Sequence, residues 1–137
     1  MTVQWSTTVR NAVNDAWQTA IGTSAKLEIY SGSMPANCAA STTGTKLVEW
    51  DLASTWAGAS SGGVKTLSSL PISVAAVGGS PTNAGYYRIF DSSGATCHEQ
   101  GTVTATGGGG DLTCDNISIT SGQTVNLTGF SKTAPGA

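Results

Sequence analysis

Charged side chains are scarce in this chain. Of 137 residues, six are Lys or Arg, eight are Asp or Glu and one is His, giving a formal net charge of −2. The six basic residues are scattered without a cluster or stripe, so neutralising a phosphate backbone has little to work with and no nucleic-acid partner is expected. No apolar run approaches the length of a membrane span, so no membrane partner is expected either. The opening segment MTVQWSTTVRNAVNDAW is polar throughout. It lacks the apolar centre of a secretory signal, which predicts a chain made in the cytoplasm of the producing cell and left unprocessed. A single histidine means that any His-dependent catalysis must run through His98. Cysteine is sparse too: Cys38, Cys97 and Cys114 are odd in number, irregularly spaced and without a Cys-x-x-Cys pair. That pattern argues against zinc and predicts buried free thiols.

What is abundant is small. Gly (18), Thr (20), Ser (17) and Ala (17) make up more than half the chain, a composition suited to short strands, many turns and closely approaching backbones rather than long helices. Leu, Ile, Val and Phe total only 24. With low net charge and four Trp and three Tyr to add bulk, the chain is expected to fold as one domain, 1–137, around a small core.

The segment at about 6–21 reads as an amphipathic helix. Val9, Ala12, Val13, Ala16, Trp17, Ala20 and Ile21 share one face, and Arg10, Asn11, Asn14, Asp15 and Gln18 occupy the other. Ser6 suits the N-cap and Gly22 the stop. The apolar face is expected to pack across a sheet, with Trp5 and Trp17 as alternative anchors on a partner protein. After Gly22 the helical period is gone. AKLEIYSG, KLVEWDL, GYYRIFDSSG and CHEQGTVTATG read as strands, and Ala53–Ser80 as weaker strand with exposed loops. A parity change near Asp115–Asn116 suggests a bulge or corner, and Gly129 a register shift that brings Phe130 inward. The β-rich body spans about 25–131, and the tail 132–137 is expected to fray. About seven short strands with one leading helix predict a mainly β fold, an antiparallel sandwich or small barrel.

Gly107, Gly108, Gly109 and Gly110 interrupt the alternation. A phosphate cradle would need a helix N-terminus and usually a Lys and a Ser or Thr directly after the glycines. The residues that follow, DLTCDNISIT, are strand-like and free of Lys. The glycines are therefore expected at the mobile tip of a hairpin, ordered only against a neighbour. Such a hairpin would keep Cys97 and Cys114 too far apart to bridge.

Three constellations invite chemistry. DSSGATCHE gathers Asp91, Ser92, Ser93, Cys97, His98 and Glu99, but Cys97 and His98 point to opposite faces of one strand and cannot converge. Glu49 and Asp51 sit two apart on a strand, a spacing compatible with paired carboxylates but more simply a solvated polar face. Trp50, Trp56, Tyr30, Tyr86 and Tyr87 could form a sugar-stacking platform, although core or interface packing fits their alternation better. No catalytic, cofactor or metal residue is predicted.

Taken together, AKLEIYSGSMPANCAA, the stretch GYYRIFDSSG through SGQTVNLTGFSKTAPG and the N-terminal helix resemble a family of small virion proteins of tailed bacteriophages. The resemblance implies a structural role without enzymatic activity. The expected role is a capsid decoration or cement protein on the outer head surface, with the major capsid protein as partner and self-association possible. A tail, neck or fibre component is the structural alternative, and a glycan-binding module using the aromatics is the alternative of another class. Contacts are expected from the helix face, from strand edges, and from the loops around Trp56 and Gly107–Gly110.

Overall fold

The computed structural model describes residues 3–137. Helix α1 (Thr7–Ile21) is followed by β1 (Lys26–Ser31), β2 (Lys46–Asp51), β3 (Val64–Thr66), β4 (Ile72–Ala75), β5 (Thr82–Phe90), β6 (Cys97–Ala105), β7 (Leu112–Cys114), β8 (Ser118–Ile119) and β9 (Thr124–Thr133). The strands form one curled mixed sheet, a half-barrel, in the order β2-β1-β5-β6-β7-β9-β3, with β4 paired to β9 and β8 to β5. Its concave side holds the main core, in which Leu27, Ile29, Val48, Trp50, Tyr87, Ile89, Leu112, Ile119, Val125 and Leu127 are almost wholly buried.

The sheet is not purely antiparallel. β7 runs parallel to β6, pairing Val103 with Leu112 and Ala105 with Cys114, so the expected hairpin at the glycines does not form. Thr106–Asp111 instead doubles back along β6 before β7 begins. This strap lies against its own strand: Gly110 N–H donates to Thr104 Oγ1 at 2.9 Å, and Thr102 N–H donates to Asp111 Oδ2 at 2.9 Å. A Cβ at Gly108 would come within 2.7 Å of Thr104 Cβ, and one at Gly110 within 2.9 Å of the Thr104 nitrogen. Gly107 and Gly109 sit at φ +87° and +80°. The run of glycines therefore permits a close fold-back rather than a free tip.

The expected corner at Asp115–Asn116 is present. β7 pairs with β6 and β9, whereas β8 crosses to β5. Both Asp115 carboxylate oxygens accept from Asn126, its backbone N–H at 2.9 Å and its side-chain amide at 2.6 Å. The register between β7 and β9 shifts beside Gly129, and Phe130 is buried.

Helix α1 is turned over relative to expectation. Ser6 caps it, accepting from Val9 N–H at 3.2 Å, and Gly22 ends it at φ +88°. Its buried residues, however, are Arg10, Asn14 and Ile21, while Val9 and Val13 are 46% and 40% exposed. The reason lies in what the helix meets: the backbone of the Gly62–Gly63 turn and of Ala134. Arg10 donates to the carbonyls of Ala134 and Gly62, and Asn14 donates to the Gly63 carbonyl at 2.9 Å. Gly63 N–H donates back to Asn11 Oδ1 at 2.8 Å. Buried carbonyls need donors, and the polar side of the helix supplies them. Trp17 and Ile21, at the edge of that side, reach the core.

The opposite, convex side of β1 and β5 is covered by the β1–β2 connection. Arg88, only 2% exposed, donates to the carbonyls of Asn37 and Ala40, and Gln100 Nε2 donates to the Pro35 carbonyl at 2.6 Å. This loop carries Cys38 to Cys97, with Cα atoms 5.3 Å apart and a disulfide between them. Cys38 and Cys97 are thus paired rather than free. Cys114 is a buried free thiol as expected, its pKa pushed up to about 11 by burial. At the C-terminal end, Ala134 N–H donates to the Gly63 carbonyl and Trp5 N–H to the Gly136 carbonyl.

Candidate interaction surface

Of the aromatic residues singled out for partner contact, two belong to the core. Trp56 is 2% exposed and donates from Nε1 to the Gly22 carbonyl at 2.8 Å. Trp17 packs edge-on against it at 5.4 Å between centroids and donates from Nε1 to Glu99 Oε2 at 2.9 Å. Only Trp5 presents a ring to solvent, 39% exposed and lying against Gly136. Gly107, Gly108 and Gly109 are exposed and Gly110 half-buried, all within the strap on β6.

The surface that the helix inversion creates is apolar. Val9, Ala12, Val13, Ala16 and Ala20 line the outward side of α1, and Val3 (70% exposed) and Trp5 are exposed ahead of the N-cap. Both charged helix residues turn away from it: Arg10 to the carbonyls described above, and Asp15 to Ser60 Oγ and Lys65 Nζ, each at 2.7 Å. These bonds hold the Asp15 carboxyl below its usual range, Lys65 being the largest cause. The result is a helix face without charge, about 22 Å long at 1.5 Å per residue. Periodicity finds this face but cannot tell which side meets the body. The one signal for the inversion is the pair Arg10 and Asn14, one turn apart, in a chain with a Gly62–Gly63 turn to receive them.

The acids Glu49 and Asp51 are not paired for catalysis. They are interleaved with lysines, Lys26 reaching Glu49 (3.2 Å) and Asp51 (2.5 Å), and Lys46 reaching Glu28 (3.0 Å) and Glu49 (2.6 Å). The Lys46 hydrogen bond is the main cause holding Glu49 down at about 2. Cys97 is in the disulfide, and Asp91 caps its own turn by accepting from Ser93 Oγ at 2.5 Å, so neither is arranged with His98 as a triad. Tyr30, Tyr86, Tyr87, Trp50 and Trp56 are all buried, Tyr30 stacking on Tyr86 at 5.5 Å, and leave no stacking platform for sugars.

A polar cavity of about 310 Å³ opens between β6 and β9, beside Tyr87, Glu99, Asp111 and Lys132. Glu99 is its hub: the carboxylate accepts from Trp17 Nε1, from Tyr87 OH at 2.5 Å and from Lys132 Nζ. Burial, with the Glu99 charge beside it, raises the Tyr87 phenol far above its ordinary value. Asp111 is held below its usual range, chiefly by the hydrogen bond from Thr102 N–H. Sequence reading missed this cavity because its walls come from strands joined only in three dimensions. No metal-binding group of His, Cys, Asp and Glu occurs among the described residues, and no helix among them is long and apolar enough to cross a membrane. No protein-family model, curated protein or solved structure matches this chain.

Proposed function

We propose that this chain is a non-enzymatic virion structural protein of the capsid decoration or cement type, acting on the outer surface of a phage head through contacts with the major capsid protein. The observation that carries the reading is the outward face of α1. A helix that spends its charged residues on its own body and presents valines and alanines to solvent, with an exposed Trp5 ahead of its N-cap, has the composition of a contact surface. The sequence resemblance to phage virion proteins supplies the partner. Cement action is then a binding free energy, since a protein that binds only the assembled shell stabilises that shell by mass action. The engagement of Cys97, Glu49 and Asp51 in structural bonds supports a role without catalysis. The half-barrel curl favours the small-barrel form of the fold over a sandwich.

Stoichiometry in purified particles tests this reading, by quantitative mass spectrometry against the major capsid protein before and after mild heating. Copies in the hundreds, with earlier genome release once the protein is lost, are expected. A dozen copies or fewer would assign it to the tail, neck or fibre, and absence from the particle would remove the virion role.

A further inference from the structure

Between β6 and β9 the sheet has a gap one strand wide. β7 fills the space only over Leu112–Cys114, yet β6 reaches back to Cys97 and β9 on to Thr133. Along that stretch the two strands stand two strand spacings apart, about 9.5 Å, and the polar cavity occupies the interval.

Backbone groups face the gap from both walls. Thr102 N–H points into it, because it donates to Asp111 Oδ2. By the two-residue period of a strand, the N–H and C=O of Gln100 point the same way. On β9, the Phe130 carbonyl accepts from Leu67 and Ala134 N–H donates to Gly63, so those residues face β3. The same period turns the backbone groups of Ser131 and Thr133 toward the gap. Among the described residues, the backbone N–H and C=O of Gln100 and Thr133 have no protein hydrogen-bond partner, whereas the pairing of Leu112 with Phe130 sets Ser131 N–H against the Asp111 carbonyl at the closed end of the gap. A sheet gap with donors and acceptors on both walls is satisfied by an added strand.

Charge narrows the occupant. Two carboxylates, Glu99 and Asp111, border the gap against one ammonium, Lys132, which Glu99 already holds. Asp111 uses one oxygen on Thr102 and leaves the other without a protein partner among the described residues. The missing complement is a basic side chain. A second copy of this chain has none to give: Arg10, Lys26, Lys46, Lys65, Arg88 and Lys132 are its six basic residues, and each is bound within the chain. We propose that the gap receives an extended segment of a different protein, about three residues long, carrying a Lys or Arg beside Asp111. This site is separate from the outward face of α1 and does not rest on the capsid reading.

The test is a titration of the isotope-labelled full chain with the blocked peptide Ac-Thr-Val-Lys-Val-Thr-NH2, followed by amide chemical shifts and hydrogen exchange. In the free protein the Gln100 and Thr133 amides should exchange quickly, while Gly101 and Lys132 should be protected by β5 and β3. Peptide should shift and protect the first two. Replacing its lysine by glutamine, or Asp111→Asn in the protein, should weaken binding about two- to five-fold, the worth of one exposed ion pair. No change up to millimolar peptide, protection of both the Gln100 and Thr133 amides in the free chain, or shifts confined to α1 would each overturn the proposal. Protection that grows with protein concentration alone would assign the gap to a second copy and overturn the choice of partner.

Discussion

Both faces of the sheet carry a cover, and the covers are attached by mirror-image means. On the core side the cover is α1, and the arginine is on the cover: Arg10 reaches out to carbonyls of the body at Gly62 and Ala134. On the convex side the cover is the β1–β2 loop, and the arginine is on the sheet: Arg88 reaches up to the loop carbonyls of Asn37 and Ala40. The difference follows from backbone accounting. A helix satisfies its own carbonyls and can spend its side chains on those of others. An irregular loop has unsatisfied carbonyls, so donors must come from the strands beneath it. Arg88 is 2% exposed and Arg10 9%, so the loop side depends more heavily on one buried cation.

The largest effect expected from breaking this symmetry is therefore at Arg88. Arg88→Ala should destabilise the fold by about 3–5 kcal/mol, because it strands buried carbonyls and removes the cation beside the buried Glu28. Arg10→Ala should cost less, about 1–3 kcal/mol, since water can reach the Gly62 turn. Paired urea midpoints would check the order, and equal losses would show that the two covers are attached with equal strength. Arg88→Lys provides a folded comparison, keeping the charge but losing the forked donors.

Next in size is the Cys38–Cys97 disulfide, which ties the same loop across 59 residues of sequence. Replacing both cysteines with serine should cost about 2–4 kcal/mol. Combined with Arg88→Ala the losses should fall short of additive, because both changes release one loop. Additive losses would mean that the disulfide and Arg88 hold separate parts of the structure.

The sequence foretold the strands better than the covers. Alternation placed β1, β2 and β6 to within two residues and found β5 from Gly85 on, missing its start at Thr82, since a strand with one core face writes its period into the chain. Ser6 and Gly22 bounded the helix for the same local reason. What escaped was non-local. A helical period separates two faces but does not say which one the body needs, and here the body's exposed carbonyls at Gly62, Gly63 and Ala134 decided. The Cys38–Cys97 pairing depends on a loop folding over β5 and β6. The parallel β6–β7 pair depends on a glycine strap short enough to look like a hairpin tip. The gap beside Glu99 follows from that strap, so it was illegible as well.

A smaller effect separates the covers by pH. Glu49, between Lys46 and Lys26 on the edge strand β2, titrates at about 2 rather than 4.5. A carboxyl depressed in the folded state contributes stability above its unfolded value, and that contribution disappears as pH falls from 4.5 toward 2. Solvent screening limits the contribution to about 1 kcal/mol. Glu49→Gln should therefore be less stable than the parent by about that much at pH 7, and the difference should shrink on acidification to pH 2.5, where both proteins also lose the contributions of the depressed Asp15 and Asp111 carboxyls. Urea midpoints at the two pH values give the comparison, and a mutant effect independent of pH would assign the loss to packing.

The smallest effect on folding is expected on the outward side of α1, and it bears most directly on function. Val9→Thr with Val13→Thr keeps shape and removes apolar surface that the fold does not use, so stability should change by no more than about 0.5 kcal/mol. Ile21→Ala, on the inward side, should cost about 2–5 kcal/mol. If the outward face is the capsid contact, the threonine pair should reduce copies per particle at unchanged stability, read by the same mass spectrometry. Full occupancy by a stable threonine variant would exclude this face as the contact. A loss of stability as large as that of Ile21→Ala would show instead that the outward valines help to hold the helix. The helix thus separates folding from binding within one element: the side that docks it is polar, and the apolar side is left for something else.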